Sequence, residues 1–327
     1  MRPLAVLTLI ALCSCEPISS DFRNEMRRKS AEFGLAIGYV GGSAMEIFPT
    51  AGGPLTNELL ENYSGPCRIC PGWFSSDGKL IVWQQIPLYQ DATDPGLVVQ
   101  TVTGETVSRW VGKVIDVYAL ALSPDKSKVA FEAWDHSARP QPDMGLQYVV
   151  LGTPRREILE AQPPKNEVDG SENIGWSPDS KSIVFSRHGK VVIIDIETAK
   201  REEIASGSMP AWSPDGRWIS FASPDLRPVL IDPSNLKQVV LAGGRKITGP
   251  IAWSPDSCCI SFSEKGKGIA DVATLSGDRI TVYRISDGEW FSLARFGLKG
   301  GMSSRFGWFY DYKALLARNE SRKKLYE

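Results

Sequence analysis

Histidine is nearly missing from this chain, with two among 327 residues. That thins the prospects for histidine-based acid–base catalysis and for a multi-histidine metal site. An excess of charge of one sign is missing too: 37 basic against 38 acidic side chains leave a net charge of −1. Such a balance does not present the broad cationic surface that a nucleic-acid backbone selects. No GxSxG elbow, P-loop or GxGxxG occurs, so the usual hydrolase and nucleotide signatures are absent. After the first dozen residues no apolar run approaches the roughly 18 that a spanning helix needs. Cysteine is sparse, with six in all.

What is present begins with an address. Met1-Arg2 precedes nearly unbroken apolar residues from Leu4 to Leu12. As a helix that run rises only about 13 Å against a hydrocarbon core of about 30 Å, so it fits a secretory signal rather than an anchor. Leu12-Cys13-Ser14-Cys15 resembles the bacterial lipobox. The resemblance implies a signal peptide over 1–14, lipid on Cys15, and an outer-membrane address facing the periplasm, because Glu16 is not the Asp associated with inner-membrane retention. An ordinary cleaved signal and a short buried stretch are the alternatives. Residues 15–32 are polar and read as a tether, partly helical, that holds the domain off a bilayer.

A phrase then recurs six times without gaps: WFSSDGKLIVW (73–83), ALSPDKSKVAF (121–131), GWSPDSKSIVF (175–185), AWSPDGRWISF (211–221), AWSPDSCCISF (252–262) and GWFYDYKALLA (307–317). Its acids are Asp77, Asp125, Asp179, Asp215, Asp256 and Asp311. Three residues before four of them stand Trp176, Trp212, Trp253 and Trp308. A large apolar residue ends one strand, Pro and Asp make the turn, and the next strand alternates. Second and third alternating runs usually follow, so each unit is four short antiparallel strands, the pattern of a propeller blade.

The phrase resembles the Trp-Ser-Pro-Asp-Gly repeat of TolB-like, WD-repeat-like β-propellers, and the resemblance covers about residues 33–327. It implies an all-β fold with the Asp and Trp as structural residues. Residues 35–60 read as the last three strands of a unit whose first phrase has decayed, and the C-terminal phrase as three strands of another. The expectation is a single propeller of six or seven four-stranded blades, leaning to seven, whose two ends must meet.

Candidate chemistry is thin. Cys67 and Cys70 form a CxxC without the His of a haem attachment; a local disulfide, buried thiols and a redox or metal role stay open. Cys258 and Cys259 are adjacent in a predicted strand, where alternation sends side chains to opposite faces, and both read as incidental. His136 and His188 fall in connections of neighbouring blades. Trp110, Trp218 and Trp290 read as packing, whereas Trp134 opens a long polar stretch. Neither cofactor nor metal is expected. The favoured function is a non-catalytic, envelope-anchored module that binds a protein or glycan through loops on one face. Tyr89, Trp134, His136 and Arg139 are its candidate contacts, on the long connections 84–96, 132–146, 160–174 and 264–279. The alternative is a propeller lyase or hydrolase with its site at the central channel.

Overall fold

The phrase folds as the inner half of a blade. The computed structural model describes residues 20–34, 36–41, 44–49, 56–58, 72–85, 96–112, 117–133, 145–161, 173–241, 245–264, 279–295 and 305–310, with positions 314 and 317. A helix, α1 (Ser20–Phe33), leads into β1 (Ala36–Gly41), β2 (Ala44–Pro49) and β3 (Thr56–Glu58). Five blades follow, each of four consecutive antiparallel strands. The first is β4 (Gly72–Phe74), β5 (Leu80–Gln85), β6 (Gly96–Thr101) and β7 (Thr106–Val111). The second is β8 (Val117–Leu122), β9 (Lys128–Ala133), β10 (Gly145–Val150) and β11 (Arg156–Ala161). The third is β12 (Ile174–Trp176), β13 (Ser182–Arg187), β14 (Lys190–Asp195) and β15 (Arg201–Ser206). The fourth is β16 (Ser208–Trp212), β17 (Ile219–Ala222), β18 (Pro228–Ile231) and β19 (Gln238–Val240). The fifth is β20 (Ala252–Trp253), β21 (Cys259–Glu264), β22 (Arg279–Arg284) and β23 (Trp290–Arg295).

The last strand, β24 (Arg305–Phe309), starts no blade of its own. It pairs antiparallel with β1, Ile37 opposite Trp308, and becomes the inner strand of a closing sheet ordered β24-β1-β2-β3. The inner strands β4, β8, β12, β16, β20 and β24 lie side by side in that order, and β24 touches both β20 and β4, so the ring is shut.

Packing follows from the alternation. Four residues after the repeat acid, Ile81, Val129, Ile183, Ile219 and Ile260 are fully buried. Two positions on, Trp83, Phe131, Phe185, Phe221 and Phe262 fill the wedge between blades. Each such side chain contributes about 1.5–3 kcal/mol by leaving water, so the phrase is also the core. Between third and fourth strands a register shift recurs, at Val99/Gln100, Leu146/Gln147, Val191/Val192 and Ile280/Thr281. Such bulges sharpen the twist of the outer strand.

Two expectations need correction. The blade count of six or seven, with its lean to seven, needs revision: five blades are continuous in sequence, and the sixth four-stranded sheet is a composite of both ends. The error lay at 307–317. Its Trp308 and Phe309 do form a strand, but Ala314 and Ala317 are helical where a second strand was expected. The tether is also revised over 20–33: its helix is not free but docked, burying Phe22 and Met26 against the fifth blade and β24, with Ser30 buried on the same face.

Candidate functional site

The repeat turn is a hydrogen-bonded unit built from two residues, and the sequence reading had weighed only one. Ser213 Oγ donates to Asp215 Oδ1 at 2.6 Å, and the same hydroxyl accepts the Trp218 N–H at 2.9 Å. Asp215 Oδ1 also accepts the Arg217 N–H at 3.1 Å. Ser75/Asp77, Ser123/Asp125, Ser177/Asp179 and Ser254/Asp256 repeat the Ser–Asp bond. The missed signal was a Ser two residues before the acid in five of six copies. These bonds shift the acids. Burial pulls the Asp125 carboxyl upward, but donation from Ser123, Ser127 and Lys128 outweighs it and holds the group down at about 2. Asp77 and Asp256 are lowered by the same contest.

Three of the five turns are clamped by the next blade. The residue after the acid is left-handed in all five turns: Gly78, Lys126, Ser180, Gly216 and Ser257. Where it carries a side chain, that side chain reaches back. Lys126 Nζ meets Asp77 at 3.0 Å, Ser180 Oγ accepts the Asp125 N–H at 3.1 Å, and Ser257 Oγ accepts the Asp215 N–H at 3.0 Å. Where it is Gly216, a Cβ would stand 3.1 Å from Pro178. Indoles add a second stitch, with Trp176 Nε1 donating to Ala121 O at 3.0 Å and Trp253 Nε1 to Ala211 O at 3.2 Å.

The closing sheet has no such turn, since β24 and β1 are not joined by a hairpin. Helix α1 fills that place. Lys29 Nζ lies 3.5 Å from Asp256, Glu25 pairs with Arg284, and Phe22 packs edge-on to Phe291 with centroids 5.2 Å apart. On the other side of the gap the Tyr310 N–H donates to Gly78 O at 3.0 Å.

Beneath α1 the two adjacent cysteines depart from expectation. Cys258 Sγ and Cys259 Sγ are 2.8 Å apart. Strand alternation would separate them, but β21 begins only at Cys259, and Cys258 still belongs to the turn.

The inner strands enclose a cavity of about 130 Å³, lined by Trp73, Trp176, Trp212, Trp253 and Trp308 among others. Its described lining holds no acid, base or cysteine. Among the described residues no group of three or more His, Cys, Asp or Glu is placed to hold a metal ion.

The far end of the disc differs. Antiparallel order puts the second-to-third and blade-to-blade connections there together, opposite the Ser–Asp turns and α1. Connections 86–95, 134–144, 162–172 and 265–278 leave from this end. Two of them spring from a buried ion-pair cluster: Arg187 Nη1 meets Glu132 Oε1 at 2.7 Å, and its Nε donates to Glu160 Oε1 at 3.2 Å. Arg187 is 2% exposed and Glu132 not at all. Flanking 265–278, Glu264 accepts from Arg245 at 2.7 Å and from the Thr281 hydroxyl.

The candidate contacts Tyr89, Trp134, His136 and Arg139 lie outside the described residues, as do Cys15, Cys67, Cys70 and Asp311. His188 is exposed at the tip of the β13–β14 hairpin. Trp110 is buried, and Trp218 and Trp290 pack against the core of the fourth and fifth blades.

No family model matches the chain, and no curated protein matches it in sequence. Solved structures do. TolB from Acinetobacter baumannii superposes with a TM-score of 0.56 at 14% identity, covering 84% of this chain and 67% of that one. A chain described as a TolB of Agrobacterium tumefaciens gives 0.50 at 16% identity, covering 84% and 98%. A chain of a nidogen–laminin complex gives 0.56 at 10% identity, also covering 84% and 98%. At these identities the likeness is one of architecture: the chain is built as a TolB-like β-propeller.

Proposed function

We propose that this is a non-catalytic binding propeller of the cell envelope that takes a protein partner on its long-loop end. The observation that carries it is the buried Glu132–Arg187–Glu160 cluster beneath 134–144 and 162–172. Burying an ion pair is rarely a net source of stability, but it fixes the strand ends in one geometry. Long connections on so rigid a base suit recognition. On this reading Tyr89, Trp134, His136 and Arg139 supply aromatic and charged contacts. A glycan is the second partner class, and aromatic contacts would serve it too. The channel-enzyme alternative draws no support from the cavity, whose described lining offers no general base to activate the Ser75 and Ser76 hydroxyls.

The address belongs to the proposal. Residues 1–14 act as a lipoprotein-type signal, Cys15 carries the lipid, and 33–327 form the propeller facing the periplasm. Solved TolB-like neighbours are consistent with an envelope role. The test is capture from native envelope with three proteins: the parent chain, one with 134–144 replaced by a short Gly-containing turn, and Cys15→Ser. Lost capture at unchanged melting in the loop variant supports the site; capture unaffected by this and by the equivalent 86–95 replacement rejects it. Cys15→Ser moves the protein from the membrane to the soluble fraction if the anchor is right, and leaves it in place if it is wrong.

A further inference from the structure

Cys258 and Cys259 sit where the fifth blade's turn, α1 and β24 converge. Cys259 is buried, while Cys258 is half-buried and reachable from solvent. Their sulfurs are 2.8 Å apart, inside van der Waals contact. Lys29 Nζ stands 3.8 Å from Cys258 Sγ, and Ser254 Oγ stands 3.9 Å from it. A partly exposed thiol with a cation beside it and a second thiol in reach is the arrangement that thiol–disulfide exchange needs.

We propose that Cys258 and Cys259 are a redox-active vicinal dithiol that closes reversibly to a disulfide by exchange with an external protein or glutathione disulfide. Cys258 is the attacking thiol and Cys259 the resolving one. The Cys258 thiolate attacks one sulfur of the external disulfide, forming a mixed disulfide and expelling the other half as a thiolate. Cys259 then attacks Cys258 Sγ, closing the vicinal bond and releasing the second half. Two cysteine thiols are oxidised, one external disulfide is reduced to two thiols, and the two cysteine protons pass to the two leaving thiolates.

The surroundings divide these roles. Donation from Cys259 holds the Cys258 thiol below its ordinary range against burial and Asp256, and Lys29 assists. The same bond to Cys258 and burial push the Cys259 thiol far up. Once Cys258 is in a mixed disulfide its charge is gone, and the main cause restraining Cys259 goes with it. The closed bond is strained as well. Adjacent Cα atoms stand about 3.8 Å apart across a trans peptide, below the roughly 4.4–6.8 Å usual for disulfides. A strained disulfide is easily reduced, which makes this pair a reversible site rather than a structural staple.

The experiment treats the reduced full chain with oxidised glutathione and maps it after trypsin. The peptide from Ile247 to Lys265 holds both cysteines and no others, so Cys67 and Cys70 do not interfere. The expected result is loss of two hydrogens from that peptide, restored by dithiothreitol. Cys259→Ser should trap glutathione on Cys258, and Lys29→Gln should slow that trapping several-fold at neutral pH, with Lys29→Arg restoring it. An unchanged peptide mass under conditions that oxidise a free dithiol would overturn the proposal. So would glutathione trapped on Cys259 in a Cys258→Ser chain as fast as on Cys258.

Discussion

Ser257 Oγ accepts the backbone N–H of Asp215 across the boundary between the fourth and fifth blades at 3.0 Å. Ser257 holds a left-handed backbone to do so, with φ of 58°. That conformation costs a non-glycine residue about 1 kcal/mol, similar to what one hydrogen bond returns. Ser257→Ala should therefore lose about 1 kcal/mol, whereas Ser257→Gly loses the bond but relieves the backbone and stays near neutral. Urea midpoints of the two variants decide it, and equal losses would show that the contact does not carry the boundary.

Asp179→Ala and Asp215→Ala should each cost roughly 1–2 kcal/mol, because each carboxylate accepts both a hydroxyl and a backbone N–H. Adding Ser177→Ala to Asp179→Ala should cost less than the sum, since the two side chains share one bond. Partner capture should survive, because the turns lie opposite the long connections. Additive losses, or lost capture at unchanged stability, would contradict this assignment.

Acid should loosen the second blade's turn in a definite window. Asp125 has a folded pKa of about 2, below its ordinary 3.8. A lowered folded value gives stability that is complete above the unfolded pKa and lost as pH falls through it toward the folded value. Stability should thus fall between about pH 4 and pH 2, and Asp125→Asn should flatten part of that slope. Denaturation midpoints at pH 5, 4 and 3 measure it; identical slopes in parent and variant would reject the contribution.

Phe22→Ala should be among the costlier single changes outside the blades. Phe22 is 1% exposed, and its loss leaves a gap against Phe291, Val282 and Trp308. A large-to-small change of this kind costs about 3 kcal/mol. It should also speed alkylation of Cys258, because the same helix covers both cysteines. Melting temperature and labelling rate are separate readouts, and an unchanged melting curve would mean that α1 adds nothing to the propeller.

The blades were legible because the phrase carries both a turn and a core residue at fixed spacing; Trp176, Asp179 and Phe185 announce the same unit as Trp253, Asp256 and Phe262. The unit at 35–60 was readable as three strands, since alternation alone marks a strand. The C-terminal copy misled because Trp308 matches the inner strand, and nothing in composition shows that Ala314 and Ala317 are helical. Helix α1 hid behind polarity: among its described side chains, Phe22 and Met26 are the large apolar ones on the buried face. The cysteine pair was misjudged because alternation applies inside a strand, and Cys258 precedes one. The candidate contacts were chosen by loop length and residue type, neither of which fixes where a side chain points.

Because β24 is the partner of β1, a strand made before the five blades waits for one made after them. Until then β1 offers an unpaired inner edge, the kind of template that another extended chain can occupy. A protein threaded across a membrane from its N-terminus would carry that open edge throughout transit. The hasp drops only when Trp308 arrives, so a nascent chain stopped between Arg295 and Arg305 would emerge as five finished blades and a vacant latch.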